Sequence, residues 1–209
     1  MAMTVWFIFA FLCGSLPFSV WIGKRLLKAD IRHYGDANPG ATNVLRAGGR
    51  STAALALLLD FLKGAIPVAL AHFNAELMGW SLILVALAPV FGHAFSPFLK
   101  FKGGKAVAVT GGVWCGLTVW EGPTVGGLLL GLFVLLLTID GWAVLLAIIG
   151  MIAYLMLTPA AWNGLAARPE QMVLLAVGVG NLLILAWKHR TDLIHPPYLR
   201  PWLSQRFHR

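Results

Sequence analysis

The chain has 209 residues, of which 59% are hydrophobic and only 11% are charged, and its formal net charge is +8. A water-soluble globular protein of this length would lack enough polar side chains to cover its surface, so the composition excludes that class and indicates a polytopic membrane protein. The basic residues alternate with apolar segments near the membrane plane, which fits anionic lipid headgroups or phosphorylated substrates rather than a nucleic-acid surface.

Seven apolar segments follow one another along the chain, each near the ~20 residues that cross a ~30 Å hydrocarbon core, although some are shorter. We therefore predict an all-α fold, a bundle of about seven transmembrane helices in a single integral membrane domain, residues 1–209. Only Glu121, Gly122 and Pro123 separate the fourth and fifth segments, which could instead form one bent or partly re-entrant hairpin. The predicted spans are 3–23, 52–71, 79–97, 106–120, 124–138, 141–158 and 171–187.

The basic residues predict the orientation of the bundle. Loops 24–50, 98–105 and 188–209, which would share one side, contain six, three and five of the sixteen Lys and Arg residues. The opposite loops hold only Arg168, and Lys63 lies within a span. By the positive-inside rule the basic side is cytoplasmic, with the amino terminus outside and the carboxyl terminus inside. The first segment has no basic region before it and no cleavage site, so we interpret it as a retained span.

Polar loops on the predicted basic face indicate a binding site. The stretch from Gly35 to Arg46, GDANPGATNVLR, combines turn-forming Gly, Pro and Asn with hydrogen-bonding Thr and Asn and a closing Arg. Because Gly lets backbone N–H groups approach a ligand and Arg presents a planar fork of donors, the expected guest is a phosphate or another compact anion. The FKGGK loop, 101–105, and the pair His189 and Arg190 lie on the same predicted face. We expect these three segments to form one polar site at the membrane boundary.

The motifs resemble those of the bacterial acyl-phosphate-dependent glycerol-3-phosphate acyltransferases, the PlsY type. The resemblance covers nearly the whole chain, through GSLPF from Gly14, DIR from Asp30, GDANPGATNVLR from Gly35, LDFLKG from Leu59, GHAFSPFLKFKGGK from Gly92 and KHR from Lys188. It implies transfer of a fatty acyl group from acyl phosphate to glycerol 3-phosphate, giving lysophosphatidic acid and phosphate in phospholipid biosynthesis. It also implies a multi-pass protein of the bacterial inner membrane whose active site faces the cytoplasm.

The implied chemistry explains why such polar loops would be needed. Acyl phosphate is already activated, so the site must hold two phosphates, orient a hydroxyl against the acyl carbon and neutralise charge. No cofactor or metal is expected, and Cys13 and Cys115 have the spacing of neither a metal site nor a redox pair. The expected partners are acyl phosphate, glycerol 3-phosphate and membrane lipid, with no nucleic acid, and the sequence does not indicate the oligomeric state.

The resemblance assigns roles to individual residues. Lys105 would be catalytic by placing its ammonium on a phosphate oxygen or the developing oxyanion. His189 would be catalytic by accepting the hydroxyl proton or by holding the polyol phosphate, and its alternative is a juxtamembrane anchor beside Trp187. We expect His93 to fix its turn through hydrogen bonds. The expected substrate- and phosphate-binding residues are Asn38, Thr42, Asn43, Arg46, Gly103, Gly104 and Asp192.

Residues within the spans carry two further predictions. Asp60 and Lys63 stand at i and i+3, where they can pair, and we interpret them as a structural ion pair facing the bundle interior, with a substrate contact of Lys63 as the alternative. Gly126, Gly127 and Gly131 of the fifth span could line a groove for the acyl tail, although glycines in a span also allow close helix packing.

The chain departs from the family pattern in its phosphate loops. Asp36 and Ala37 replace the usual Ser-Gly of the first loop, which places a carboxylate where a phosphate-binding hydroxyl is expected. Since like charges repel, Asp36 should cap backbone N–H groups or pair with a nearby Arg. Ala106 follows the GGK in place of the usual Gly.

Further departures lie in the carboxyl-terminal half. TIDGW, residues 138–142, replaces a loop in which family members carry a basic residue and serines, and Asp192 stands where Asn is typical. The downstream Arg and Glu pattern is replaced by HPPYLRPWL. The aromatic and basic residues of the segment 196–209 predict an interfacial anchor.

Two other function classes stay open. A transporter of a small phosphorylated metabolite would also use polar loops, but it predicts inverted repeats and a site near the bilayer midplane, and the sequence contains no evident repeat. A non-catalytic anion-binding relative is favoured by Asp36 and by the missing serine-bearing loop.

Overall fold

The computed structural model of the chain describes residues 2–204, and in that range the protein is helical apart from loops and one isolated antiparallel bridge, between Leu137 and Leu199. Short 3₁₀ turns cover Ile31–His33, Pro97–Leu99 and Ala160–Asn163, and a π turn covers Leu70–Asn74. The α-helices are α1 Ala2–Ser15, α2 Phe18–Leu26, α3 Ala41–Arg46, α4 Arg50–Ala69, α5 Gly79–Ala94, α6 Val107–Thr118, α7 Glu121–Leu136, α8 Asp140–Leu157, α9 Gln171–Lys188, α10 Arg190–Leu193 and α11 Pro201–Ser204.

The predicted all-α membrane fold is confirmed. Five helical segments of the described chain are long and apolar enough to cross a membrane, namely Met3–Leu26, Arg50–Asn74, Gly79–Leu99, Asp140–Leu157 and Gln171–Lys188. The remaining two predicted segments are apolar helices, α6 and α7, of only 12 and 16 residues. The count of about seven crossings and the orientation of the termini therefore stay predictions.

A break in the first span provides anchoring points for two other helices. Pro17 separates α1 from α2, and the carbonyls of Ser15 and Leu16 beside it are free to accept hydrogen bonds from side chains. Ser96 Oγ donates to the Ser15 carbonyl over 2.6 Å, and Lys63 Nζ donates to the Leu16 carbonyl over 2.7 Å. The break thus fixes α4 and the end of α5 against the first span.

Asp60 and Lys63 form the expected ion pair inside the bundle. Their carboxylate and ammonium groups lie 2.7 Å apart, and both side chains are 3% exposed. Ser19 Oγ also donates to Asp60, over 2.5 Å. A buried charge is tolerated when it is paired and hydrogen-bonded, so this cluster holds the first span and α4 in one arrangement.

Close helix contact positions α6 beside α4. A Cβ added to Gly112 would lie 1.9 Å from the Phe61 carbonyl oxygen, and one added to Gly64 would lie 2.3 Å from the Val109 carbonyl oxygen. Only glycine permits such backbone contact, as is common between membrane helices. The largest apolar cluster of the described residues then fills the space between α5, α6, α8 and α9, with Trp114 almost completely buried in it.

A buried polar cluster closes the elbow between α6 and α7, at the end of α7 opposite its turn into α8. Glu121 is 0% exposed and receives hydrogen bonds from Asn163 Nδ2 and from the Arg168 guanidinium. Arg168 also donates to the carbonyls of Leu155 and Thr158, each over 2.9 Å. In the sequence Glu121 and Arg168 are isolated charges between apolar segments. In the structure they form one ion pair.

The predicted interfacial anchor is described only as far as Ser204, and Phe207 lies outside the described residues. Within the described part, Tyr198 and Trp202 are more than half exposed, as aromatic side chains are at a membrane–water interface. The anchoring role stays a prediction.

Candidate active site

The three polar segments singled out in the sequence line one cavity of about 580 Å³. The cavity begins among the loops and continues between α6, α7 and α8. Its lining includes both side chains expected to be catalytic and three of those expected to bind phosphate. The polar and charged residues at its loop end are Asp36, Asn38, Thr42, Arg46, Lys105, Asp140 and His189.

The first loop is held together by its own side chains. Asn43 is 1% exposed, and its Nδ2 donates to Asp36 Oδ1 over 3.1 Å and to the Asn38 carbonyl over 2.9 Å. Its Oδ1 accepts from Arg46 over 3.1 Å. Gly35 has φ of +55°, and a Cβ there would lie 2.0 Å from the Arg46 guanidinium. Glycine at this position therefore allows Arg46 to fold over the loop.

Asp36 both caps the loop and pairs with cations. Its Oδ1 accepts from the Asn38 N–H over 3.3 Å and lies 3.7 Å from the Arg46 guanidinium, while its Oδ2 lies 3.1 Å from Lys105 Nζ. Burial alone would raise the pKa of Asp36, but the hydrogen bond and charge of Lys105 outweigh burial and lower it. The carboxylate is therefore ionised. It already neutralises part of the positive charge of Arg46 and Lys105 that would otherwise attract a phosphate.

Lys105 lies between two carboxylates. Its Nζ is 3.1 Å from Asp36 and 3.2 Å from Asp192, which brings the first loop, the GGK loop and the segment after α9 to a single ammonium group. Burial would lower the pKa of Lys105, but the hydrogen bonds and charges of Asp36 and Asp192 outweigh burial and raise it. Lys105 is therefore a permanent cation at neutral pH.

The glycines of the GGK loop approach a histidine rather than the cavity. The Gly104 N–H donates to the His93 carbonyl over 3.2 Å, and a Cβ added to Gly103 would lie 1.9 Å from that carbonyl oxygen. Lys188 Nζ donates to the carbonyl of Gly103 over 2.8 Å. Ala106, which replaces the usual Gly, has φ of +63° at the start of α6, a conformation that disfavours any residue with a Cβ.

His189 is a buried histidine that lines the cavity. It is 1% exposed, lies directly after α9, and its Nδ1 is 2.9 Å from the Leu185 carbonyl. Burial lowers the pKa of His189, and the charge of Lys105 lowers it further against the opposing hydrogen bond to Leu185. In the neutral ring Nδ1 donates to that carbonyl, which leaves Nε2 as the acceptor. A side chain that anchors a span at the membrane surface is expected to be exposed, as the neighbouring Trp187 is at 58%. The almost complete burial of His189 does not fit that role.

Four of the residues expected to bind substrate are not among the lining residues of the cavity. Asn43 is buried under the first loop, Gly103 and Gly104 pack on His93, and Asp192 pairs with Lys105. Their contacts hold the lining residues in place, and the phosphate contact expected of these four residues stays a prediction.

The structure adds lining residues that the sequence did not predict. Asp140 lines the loop end, while Asp60 and His93 line the cavity beside α4 and α5. Asp140 belongs to the TIDGW segment, in which sequence comparison indicated only missing groups. The sequence indicates an ion pair for Asp60 and a turn role for His93, but the approach of all three residues to the cavity depends on tertiary packing, which no local pattern predicts.

The deeper wall of the cavity is apolar. It includes Trp114 of α6, Gly122, Gly126 and Gly127 of α7, and Met151 of α8. Two of the three glycines predicted to line a tail groove thus line the cavity, whereas Gly131 is not among the lining residues. A cavity with a charged mouth and an apolar interior suits a ligand with a phosphate head and a hydrocarbon tail.

Comparison with known proteins assigns the family. The family model described as Glycerol-3-phosphate acyltransferase matches residues 4–195. The chain belongs to this family. Curated relatives named glycerol-3-phosphate acyltransferase share 37% identity in Thermotoga maritima, over 88% of this chain and 92% of that protein, and 37% in Coxiella burnetii, over 90% and 91%.

Solved structures agree with this membership. Two crystal structures of PlsY, an integral membrane glycerol 3-phosphate acyltransferase, match with a TM-score of 0.75 at 31% identity, over 92% of this chain and 90% of that one. One is its glycerol 3-phosphate form and the other its lysophosphatidic acid form. The family resemblance and the enzyme class predicted from the sequence are thereby confirmed.

Proposed function

We propose that this chain transfers a fatty acyl group from acyl phosphate to glycerol 3-phosphate, releasing phosphate and leaving lysophosphatidic acid in the membrane. The single observation that carries the proposal is the position of Lys105. Its ammonium joins three distant chain segments at the mouth of a cavity whose interior is apolar. A polar phosphorylated acceptor and an acylated donor can meet only where such a charged mouth and apolar interior adjoin.

Phosphate binding is assigned to the first loop and to Lys105. Arg46 offers a planar fork of donors, and Asn38 and Thr42 contribute polar side chains to the same wall. Lys105, kept protonated by its neighbours, supplies a point charge for the leaving phosphate or the developing oxyanion. An incoming phosphate would share Lys105 with Asp36 and Asp192.

The transfer step needs little beyond position and charge. The hydroxyl oxygen of glycerol 3-phosphate attacks the acyl carbon, the bond from that carbon to the phosphate oxygen breaks, and the electron pair leaves with phosphate. His189 Nε2 accepts the hydroxyl proton, which the departing phosphate can take up later. Since acyl phosphate is already activated, holding the two substrates together supplies much of the rate.

The depth of the cavity indicates the length of the acyl group. Gly122 and Val134 both line it and are twelve positions apart on α7, which corresponds to about 18 Å at ~1.5 Å per residue. One leaflet of a ~30 Å hydrocarbon core has about half that thickness, ~15 Å, and it is built from long acyl chains. The groove therefore suits a long-chain donor.

The proposal includes the site's surroundings. We assign the chain as a single multi-pass domain of the bacterial inner membrane, with the charged mouth of the cavity facing the cytoplasm. Fourteen of the sixteen Lys and Arg residues lie on that predicted side, which supports the assignment.

A reconstituted assay tests the proposal. Purified protein in lipid vesicles is incubated with labelled glycerol 3-phosphate and either palmitoyl phosphate or palmitoyl thioester, and the labelled lysolipid is extracted. We expect product with the acyl phosphate and only background with the thioester. Product from the thioester alone would overturn the donor assignment.

The same assay separates the alternatives. Label that enters the vesicle lumen without acyl donor would indicate transport, and labelled glycerol 3-phosphate that binds without product would indicate a non-catalytic relative. Either result would overturn the proposed activity.

A further inference from the structure

The two segments in which this chain departs most from the family pattern pack against each other. Leu137, in the turn from α7 to α8, pairs antiparallel with Leu199 of the carboxyl-terminal segment. The Thr138 N–H donates to the Tyr198 carbonyl over 3.0 Å, and the Arg200 N–H donates to the Leu136 carbonyl over 2.8 Å. The segment 195–200, which we term the strap, thus runs beside the turn as a short strand would.

The side chain of Arg200 caps the end of α7. Its Nε donates to the carbonyls of Val134 and Leu137, over 2.9 and 3.1 Å. The last carbonyls of a helix have no partner within the helix, and a cation at that end also complements the helix dipole. At the other end of the turn, Trp142 Nε1 donates to the His195 carbonyl over 2.8 Å. The strap therefore fixes both ends of the turn.

The opposite side of the turn packs against His189 and Asp192. A Cβ added to Gly141 would lie 2.8 Å from the Cβ of Asp192 and 3.2 Å from that of His189. Asp192 in turn pairs with Lys105. The turn is therefore enclosed between the strap on one side and His189 and Asp192, which pairs with Lys105, on the other.

We propose that Arg200 is a positioning residue, which holds the α7–α8 turn through the strap and so keeps His189 and Asp192 at the cavity mouth. This inference rests on the proposed function, because turnover reports the position of those groups. Gly141 has no side chain with which to hold the turn in place, so the backbone bonds to the strap and the Arg200 guanidinium supply that restraint. Arg200 itself is not among the residues that line the cavity.

Kinetics of Arg200→Gln test the inference. Loss of two hydrogen bonds from a charged group should loosen the turn and raise KM for glycerol 3-phosphate about tenfold. The value of kcat should fall as well, because His189 and Lys105 are then held less firmly. Misfolding would instead lower the apparent kcat at constant KM, since it removes active molecules. Arg25→Gln, an exposed arginine at the end of α2, is the matched control and should leave both constants unchanged.

A reversible cross-link provides the rescue. Leu137 and Leu199 form the non-hydrogen-bonded type of antiparallel pair, whose Cα separation of about 4.5 Å allows a disulfide. In Leu137→Cys/Leu199→Cys/Arg200→Gln, with Cys13 and Cys115 replaced by Ala, oxidation should restore the low KM and reduction should raise it. An equal KM in both redox states, or an unchanged KM in Arg200→Gln, would overturn the inference.

Hydrogen exchange keeps this test separate from the proposed function. Arg200→Gln should accelerate exchange of the Thr138 amide, which needs no turnover. If the wild type makes no lysolipid while that exchange is accelerated, the proposed function fails and the strap's hold on the turn stands. If exchange is unchanged, the positioning role fails whatever the activity.

Discussion

The Asp36 carboxylate lies 3.1 Å from the Lys105 ammonium, across the mouth of the cavity. This contact joins a residue that departs from the family pattern to the cation on which the proposed chemistry depends. A carboxylate there neutralises part of the charge available to an incoming phosphate, and it also holds Lys105 close to the first loop. The two effects act in opposite directions on substrate binding, so replacing Asp36 is informative.

Asp36→Ser, which restores the residue typical of the family, should lower KM for glycerol 3-phosphate severalfold. The carboxylate side chain is 42% exposed, so solvent screens it and the gain in binding free energy should not exceed about 1 kcal/mol. Steady-state kinetics at several salt concentrations measure the effect, which should shrink as salt rises. A higher KM in the variant would mean that Asp36 matters chiefly for orienting Lys105.

The pH dependence should reflect the lowered pKa of His189. Burial and the charge of Lys105 keep the ring neutral below its ordinary pKa of about 6.5. As pH falls through that lowered pKa, the ring becomes protonated and cannot accept the hydroxyl proton, so kcat/KM should decline only at pH values below 6.5.

Two variants assign this acidic limb. His189→Gln should reduce kcat/KM at neutral pH by about 10²–10⁴, and its residual rate should lack the limb. His33→Gln, at an exposed histidine, should keep it. Ionisation of glycerol 3-phosphate itself, at about pH 6, would give every variant the same decline, so the limb of His189 is the further decline that wild type shows and His189→Gln lacks. A limb that persists unchanged in His189→Gln would exclude His189 as the base.

Filling the apolar groove should shorten the preferred acyl chain. A Cβ added to Gly126 would lie 3.0 Å from the Met151 sulfur, so Gly126→Leu should occupy the groove and turn that flexible side chain aside. Turnover of short-, medium- and long-chain acyl phosphates, measured in competition, should shift toward shorter chains. Gly131→Leu is the matched control, because Gly131 belongs to the same helix but not to the cavity lining, and a Cβ there meets open space. The same shift in both variants would contradict a tail site at Gly126.

Breaking the buried ion pair at the elbow should destabilise the bundle. Arg168→Met leaves the fully buried Glu121 carboxylate without its cation, and losing one partner of a buried pair costs about 3–5 kcal/mol. Thermal unfolding in detergent should show a clearly lower midpoint, which Glu121→Gln in the same chain should partly restore. Arg32→Met removes the cation of the more exposed pair with Asp30 and should cost less than about 1 kcal/mol. Equal losses in Arg168→Met and Arg32→Met would contradict this assignment.

The helices could be predicted from the sequence because the hydrophobicity that makes a segment a membrane helix is contained in that segment alone. All seven predicted segments are helical in the structure, with boundaries displaced by at most a few residues. The short lengths of α6 and α7 depend instead on the elbow, where Val119 takes φ of +60° and Glu121 meets Arg168. That pairing joins residues far apart in sequence, so no local pattern could reveal it.

The sequence indicates which side chains come together at the candidate site better than it indicates which neighbours its glycines contact. Arg46, Lys105 and His189 line one cavity, as their residue types and the family resemblance suggested. The glycines Gly103 and Gly104 suggested a close approach to phosphate, whereas the backbone they expose approaches His93. Which neighbour a glycine admits is a property of the tertiary structure and is absent from the sequence.

The most direct test of the proposed phosphate site at the cavity mouth compares lysolipid formation by wild type, Lys105→Ala, Arg46→Ala and Lys102→Ala. The proteins are compared in vesicles at equal amounts of folded protein. Lys102 is exposed and lies in the same FKGGK loop, directly before Gly103, so it controls for loss of a nearby positive charge. We predict near-complete loss of product for Lys105→Ala and Arg46→Ala and a wild-type rate for Lys102→Ala. Wild-type rates in Lys105→Ala or Arg46→Ala, or an equal loss in all three variants, would contradict the account.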